Sequence, residues 1–146
     1  MQFPLFLIPI IVGVFTQSLK PFLNKKWYAQ LTEGGQKIPR YGGMPSAHTA
    51  FATSLASLTA LNDGFMSMTF AITVSLVIFV LDDALRMRIF LSRHGEALRR
   101  LVHQLPKEKQ ADFPYLEARL GHKLPEVLVG AATGILLTWA LFALVY

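Results

Sequence analysis

The sequence predicts an all-α fold: an integral membrane bundle of four transmembrane helices with a further amphipathic helix on the inner leaflet. Of the 146 residues, 53% are hydrophobic and only 16% are charged. This composition excludes a disordered chain, a nucleic-acid-binding tail and an ordinary soluble domain. Four apolar stretches come close to the roughly 20 residues that a helix needs to cross the hydrocarbon core. All 14 basic residues lie between those stretches. We therefore expect one membrane-embedded domain over residues 1–146.

The apolar stretches cover residues 3–19, 46–61, 65–81 and 127–146. The first has no Lys or Arg before Lys20, so we expect a retained span rather than a cleaved signal peptide. The second is rich in Ser, Thr and Ala, which suits packing against other helices better than contact with lipid. The turn Asn-Asp-Gly at residues 62–64 joins the second and third stretches as a helical hairpin.

The fourth stretch contains a pair of glycines at GxxxG spacing, Gly130 and Gly134. Such a pair lets another helix backbone approach closely, either within the chain or across a dimer interface. Because four spans enclose little on their own, we also consider a homodimer in which a second protomer completes the site.

The basic residues are distributed asymmetrically along the chain. Residues 20–40 contain five of them and residues 82–126 contain the other nine. Four spans place both segments on one side, which the positive-inside rule assigns to the cytoplasm, with both termini outside. Residues 93–105 place leucines at helical spacing among basic residues, which predicts the amphipathic inner-leaflet helix. We expect the protein in the plasma membrane.

The segment Gly-Gly-Met-Pro-Ser-Ala-His at residues 42–48 stands directly before the second stretch. Ser46 is a natural N-cap, and the free N–H groups of the following helix would face the cytoplasmic side. Gly43 lets the backbone approach a ligand, the Ser46 hydroxyl can donate to a phosphate oxygen, and His48 is placed to transfer a proton. The alternative is a glycine turn with an ordinary helix cap and an interfacial histidine.

A similar helix N-terminus is predicted before the fourth stretch, where Gly-His-Lys-Leu-Pro-Glu occupies residues 121–126. His122 and Glu126 are four residues apart, so the carboxylate can accept a hydrogen bond from one ring nitrogen and leave the other for a substrate. The alternative is a glutamate that merely complements the helix dipole. Because the chain crosses out and back between them, His48 and His122 are expected on the same membrane face.

Further candidates lie at the inner ends of the first and third stretches. Lys20 can contact a phosphate as a point charge or can be an ordinary interfacial lysine. Asp83 and Arg88 suggest an ion pair, or an arginine that holds a phosphate. The chain has no cysteine and no His-x-x-x-His or Glu-x-x-His pair, so we expect neither a metal nor a cofactor.

These motifs resemble those of a known superfamily. Pro-Ser-Ala-His at residues 45–48 is similar to the Pro-Ser-Gly-His motif of the type 2 phosphatidic acid phosphatase and vanadium haloperoxidase superfamily, and residues 122–126 resemble its His-x-x-x-Asp motif. A small divergent branch is more similar still. It carries Gly-Gly-Met-Pro-Ser-Ser-His, Asp-Ala-x-x-x-Arg (here residues 83–88), Arg-His-x-Glu-x-Leu (residues 93–98) and Gly-His-x-x-x-Glu-Val (residues 121–127).

The resemblance implies a lipid phosphatase that needs no metal. His122 would be the nucleophile that forms a phosphohistidine, Glu126 would orient it, and His48 would protonate the leaving oxygen. The substrate would be a phosphate monoester or diphosphate on a lipid or prenyl chain. The phosphate would be held by residues from several segments: Lys20, Gly43, Ser46, Ala47, Arg40 and Arg88. Supporting roles would fall to Asp83, Arg93 and His94.

Some positions depart from the superfamily pattern, because Glu126 replaces an aspartate, Ala47 replaces a glycine, and the usual arginines are missing after Lys20 and before His122. Arg88, Arg40 or Arg119 can substitute from elsewhere in the fold. The missing arginines support an alternative function, a non-catalytic membrane protein that binds anionic lipid head groups. A small transporter or assembly subunit and a haloperoxidase are weaker alternatives. A nucleic-acid partner is not expected.

Overall fold

The computed structural model describes residues 4–23, 30–31, 37–38, 43–110, 112–113 and 122–146. Within these ranges the all-α membrane bundle predicted from the sequence is confirmed. The helices are α1 (Leu7–Leu23), α2 (Ala47–Asp63), α3 (Met68–Asp82), a π-helical turn (Asp83–Met87), α4 (Arg88–His103), α5 (Lys107–Gln110) and α6 (Leu124–Val145). Two short strands that the sequence did not predict, β1 (Gln30–Leu31) and β2 (Lys37–Ile38), pair antiparallel between α1 and α2.

The outer surface of the bundle is apolar. Helix α6 and the continuous helix from Met68 to His103 are long and apolar enough to cross a membrane, and α1 is a shorter apolar helix. Large side chains such as Phe15, Phe79 and Leu136 are 48%, 72% and 68% exposed on three different helices. An apolar surface of this extent is typical of contact with lipid. The protein is therefore a membrane protein.

Helix α2 is the central helix of the bundle and contacts α1, α3 and α6. Its 17 residues span about 25 Å, close to the minimum for a membrane crossing. The hydroxyl groups that reduce its hydropathy are buried and hydrogen-bonded: Thr53 Oγ1 donates to the Thr49 carbonyl at 2.8 Å, and Ser54 Oγ contacts Thr138 Oγ1 at 2.5 Å. The neighbouring helices thus cover the polar side chains of α2, a helix whose hydropathy alone is only moderate evidence for a transmembrane span.

The Gly130–Gly134 pair is used inside the chain. A Cβ atom at Gly130 would meet the Ser46 carbonyl oxygen at 2.5 Å, and one at Gly134 would collide with Thr53 Oγ1 and the Ala50 carbonyl. Both glycines are buried. The sequence left open whether a helix of the same chain or of a second protomer approaches these glycines, and the structure shows that it is α2 of the same chain. A dimer would have to use another surface.

The apolar core lies where α1, α2 and α6 meet. Ile8, Val12, Ala50 and Leu58 form its buried cluster, and Leu137, Leu141 and Phe142 of α6 pack against it. The hairpin between α2 and α3 is present as predicted: α2 ends at Asp63, Gly64 follows with φ of 87°, and Ser67 caps α3. The side chains of Thr59 and Thr73 join the two helices at 2.9 Å.

The third apolar stretch continues without a break into the amphipathic segment. Helix α3 passes through the π-helical turn directly into α4, so that Met68–His103 is one helix of 36 residues. None of the α4 side chains is buried. The side that faces the start of α6 carries Arg93, Glu96 and Leu101, whereas Phe90 and Leu98 are both 51% exposed. Helix α4 is thus amphipathic, but it begins five residues earlier than the sequence pattern indicated.

Candidate active site

The start of α2 is built as a helix cap tied to α6. Gly43 has a φ of 84°, a conformation that favours glycine. Ser46 is fully buried, and its Oγ accepts hydrogen bonds from the Thr49 backbone N–H at 3.4 Å and the Thr49 hydroxyl at 2.9 Å. The Ser46 backbone N–H donates to the Glu126 carbonyl at 2.9 Å. This bond holds the N-terminal ends of α2 and α6 together, so both positive dipole ends point into one region.

Buried His122 pairs with partly buried Glu126 at the start of α6. The His122 Nδ1 lies 2.9 Å from Glu126 Oε2, and the imidazole is only 3% exposed. The same carboxylate oxygen accepts the Lys123 backbone N–H at 3.2 Å. Glu126 therefore caps the helix and orients the imidazole at once, which unites the two interpretations of the sequence. With Nδ1 bonded to the carboxylate, the lone pair of Nε2 is available to a substrate.

The π-helical turn brings a third element to His122. The Arg88 N–H donates to the Asp83 carbonyl, an i→i+5 bond that widens the helix. Within this turn the Ala84 carbonyl accepts the His122 backbone N–H at 3.4 Å. The i,i+5 spacing also places Arg88 Nε 2.7 Å from Asp83 Oδ2. The turn thus anchors the nucleophile candidate and directs an arginine toward it.

Cationic and acidic groups from four segments converge here. Lys20 is only 4% exposed at the inner end of α1, and the charges of Glu126 and Arg88 act on it. The groups whose charges act on His48 are Arg88, Lys20, His122 and Asp83. A phosphate between the two histidines would therefore meet two cations and two helix N-termini.

Burial is the largest influence on His122 and holds the pKa of its imidazole below the ordinary value of 6.5. The hydrogen bond to Glu126 acts in the opposite direction, while the Lys20 and Arg88 charges lower the pKa further. The ring is therefore neutral at pH 7, which is the protonation state that a nitrogen nucleophile requires.

A family model described as "Divergent PAP2 family" matches residues 1–137. The chain belongs to the Divergent PAP2 family. The uncharacterized membrane protein YuiD of Bacillus subtilis (strain 168) is 33% identical over 111 residues, which cover 68% of this chain and 70% of that protein. No solved structure matches the chain. The resemblance to a divergent branch of the phosphatase superfamily is thereby confirmed.

The structure of this Divergent PAP2 family member unites most of the residues singled out from the sequence. Ala47 is the first residue of α2 and lines a groove together with His48. Arg93 and His94 are exposed on α4, where Arg93 lies over the Phe90 ring at 5.9 Å. Neither contacts the His122–Glu126 pair. Arg40 and Arg119 lie outside the described residues.

Two residues important to this arrangement were missed in the sequence. Thr49 supports the Ser46 cap, and the Ala84 carbonyl holds the His122 backbone. The Thr49 hydroxyl three residues after a predicted N-cap was a usable signal. No sequence signal indicates the Ala84 contact, because it depends on the π-helical turn. Among the residues described, no group of three His, Asp or Glu side chains is arranged to hold a metal ion.

Among the described residues of this family member, a groove opens beside each histidine. The larger, of about 1050 Å³, lies between α4 and the start of α6. Its walls include His122, Arg93 and Glu96. The smaller, of about 540 Å³, lies between α1, α2 and α3 and begins at His48. Both grooves are largely apolar, and of the described side chains, charged ones line only the groove beside His122.

Proposed function

We propose that this protein hydrolyses a phosphate monoester or diphosphate on a lipid or prenyl chain through a phosphohistidine at His122. The observation that carries the proposal is the hydrogen bond of 2.9 Å between the buried imidazole of His122 and Glu126, near Lys20 and Arg88. A carboxylate-oriented imidazole with a free nitrogen is the arrangement of an activated nucleophile. Family membership supports a phosphatase-related role, and the lipid setting suits an amphiphilic substrate.

In the first step, the Nε2 lone pair of neutral His122 attacks phosphorus and the bond to the leaving oxygen breaks. Protonated His48 gives its proton to that oxygen, and the alcohol or phosphate monoester departs. Glu126 stabilises the positive charge that develops on the His122 ring through the Nδ1–H hydrogen bond. In the second step, neutral His48 takes a proton from water as the water oxygen attacks phosphorus. The P–N bond breaks, inorganic phosphate leaves, and both histidines return to their starting states.

The phosphate oxygens would be held by charge and by helix dipoles. Lys20 and Arg88 supply two cations, and Arg88 offers a planar group that can bind two oxygens at once. The first N–H groups of α2, the Gly43 backbone and the Ser46 hydroxyl supply neutral donors, since the hydroxyl that caps α2 still has its own proton to donate. Asp83 positions Arg88. Arg40, Arg93 and His94 would contribute from the rim of the site.

The site would face the cytoplasm from the plasma membrane, with both termini outside. This orientation follows from the positive-inside rule, since all 14 basic residues lie in the two segments on the side of the site. We propose that the whole chain acts as one membrane domain. A homodimer would have to form through surfaces other than the Gly130–Gly134 face.

The test is phosphate release by purified protein in detergent and in liposomes, with EDTA present, from a panel of lipid phosphates and prenyl diphosphates. We expect release by the wild type and its loss in His122→Ala and His48→Ala. The matched control is His103→Ala, which removes an exposed histidine at the end of α4 and should change nothing. A ³²P label that remains on the wild-type protein after rapid alkaline quenching, and that is absent from His122→Ala, would identify the covalent intermediate.

The contradicting result is an absence of release from every substrate while the protein still binds inorganic phosphate or vanadate. That outcome would favour the alternative function, a membrane protein that binds anionic lipid head groups without turnover. The same cations and helix starts would then serve binding alone.

A further inference from the structure

We infer that the apolar chain of the substrate lies in the groove between α1, α2 and α3, and that this groove selects phosphate esters whose leaving oxygen carries a long chain. The inference rests on the proposed function, because it uses His48 as the group that protonates the leaving oxygen. In a lipid phosphate the chain is attached on the leaving-oxygen side, so the chain must depart from the side of the site where His48 lies.

The groove has one end at His48 and extends from there into the bundle. Each of its three helices contributes residues near the site and others one turn deeper. At the site end are Gln17 and Ser18 of α1, Ala47 and His48 of α2, and Val80 of α3. One turn deeper, about 6 Å along each helix axis, are Gly13 and Val14, Phe51 and Ala52, and Leu76.

This change from polar to apolar lining matches an amphiphile that enters head first. The deeper residues offer only hydrocarbon surface, and Gly13 leaves the space that a larger α1 side chain would occupy. A Cβ at Gly13 would lie 3.4 Å from the Phe51 side chain, in van der Waals contact, so α1 and α2 lie close together beside the groove. Its volume of about 540 Å³ lies within the usual range for ligand clefts.

The groove beside His122 has an apolar lining as well as the charged groups of Arg93, Glu96 and Arg100, so its position rather than its lining decides against it. The nucleophile occupies that side, and in an in-line displacement the leaving group departs from the opposite side. The geometry therefore assigns the chain to the groove beside His48.

The test uses two variants of α3 with the same new side chain. Val80→Trp places an indole in the groove, whereas Ile78→Trp places it on the lipid-facing side, where Ile78 is 62% exposed. We would measure kcat/KM for n-dodecyl phosphate and n-propyl phosphate. Loss of burial of two or three methylene groups reduces kcat/KM by on the order of ten- to a hundredfold.

We expect Val80→Trp to reduce the dodecyl-to-propyl ratio of kcat/KM by about this factor, and Ile78→Trp to leave the ratio within about twofold of the wild type. Partition of the longer ester into the membrane affects all three proteins equally, so it cancels in the comparison. Equal ratios in the two variants, or equal kcat/KM for both esters in the wild type, would overturn the inference.

A binding measurement separates this inference from the proposed catalysis. Dodecyl phosphate with a diazirine in its chain is photolysed with the His122→Ala protein, and the labelled peptides are sequenced. Labels at Gly13, Phe51 or Leu76 that Val80→Trp abolishes would support the groove even if the wild type released no phosphate. Labels spread evenly over lipid-facing residues such as Ile78 and Phe79 would overturn the inference even if phosphate release were confirmed.

Discussion

Substitution of Glu126 by glutamine keeps the shape of the site and removes one charge. Glu126 Oε2 accepts hydrogen bonds from His122 Nδ1 at 2.9 Å and from the Lys123 backbone at 3.2 Å. In Glu126→Gln the amide oxygen can accept both bonds, so the helix start and the ring orientation are retained. The carboxylate charge that would stabilise the imidazolium in the transition state is lost.

The size of the effect follows from the type of hydrogen bond. A bond to a charged group contributes about 1.5–3 kcal/mol, against about 0.5–1.5 kcal/mol for a neutral one. The difference of roughly 1–1.5 kcal/mol corresponds to about a tenfold decrease in kcat/KM. Loss of the nucleophile itself in His122→Ala should decrease activity far more.

The pH dependence gives a sharper test, because the sign is determined by the surroundings of His122. Neutral His122 is the reactive form, so activity rises with pH through the pKa of its ring, which burial holds below 6.5. Glu126 raises that pKa through its hydrogen bond and its charge. Glu126→Gln removes the charge and leaves only a weaker, neutral hydrogen bond, so the pKa falls further and the acid limb of the profile moves to lower pH.

The assay is kcat/KM for phosphate release between about pH 4 and pH 8, since this parameter reports the pKa values of the free enzyme. The control is Glu108→Gln, which neutralises an exposed carboxylate on α5 and should leave the acid limb in place. Titration of the His122 ring by NMR checks the same shift without turnover. An acid limb that stays in place or moves to higher pH in Glu126→Gln would refute the reasoning.

Two further predictions concern the arginine at the site and the glycine contact between helices. Arg88→Gln removes one of the two cations near His122, and with it hydrogen bonds of about 1.5–3 kcal/mol, so kcat/KM should fall by about ten- to 150-fold. Arg86→Gln, which breaks an exposed pair with Asp82 on the same turn, is the matched control, and equal losses in both would contradict a role for Arg88. Gly134→Ala forces a methyl group against Thr53 and Ala50 and should lower the free energy of unfolding by about 1–3 kcal/mol in thermal or denaturant unfolding in detergent. Gly13→Ala, whose methyl group has room beside Phe51, should cost less, and the reverse order would show that the α2–α6 contact is not tight.

The meeting of two histidines at one end of the bundle was predictable from the sequence. Each precedes an apolar stretch, and one outward and one inward crossing separate them, so they must return to the same side. The spacing of His122 and Glu126 likewise predicted their hydrogen bond. The hydrogen bond depends on helix periodicity, and the shared membrane face depends on the order of the apolar segments. Both can be read directly from the sequence.

The π-helical turn could not be predicted in this way. A π-helical turn differs from an α-helix by one hydrogen-bond step, and residues 83–87 carry no composition that distinguishes the two. The contact between Ala84 and His122 depends on this turn and was therefore missed. The sequence also left open whether Arg88 pairs with Asp83 or holds a phosphate. The partner of Gly130 and Gly134 was also open, because a GxxxG pair indicates close approach without saying which helix approaches.

The central helix α2 meets neighbours of two kinds, and this difference bears on how the protein can change by mutation. On its α6 side, Ala50 and Thr53 leave no room for even a methyl group at Gly134. On its other side, Phe51 faces the open groove toward α1 and α3. Substitutions in the groove can therefore alter its width without disturbing the Ser46–Glu126 bond that sets the spacing of the two histidines. Such an arrangement lets substrate range diverge among related chains while the reacting groups stay in register.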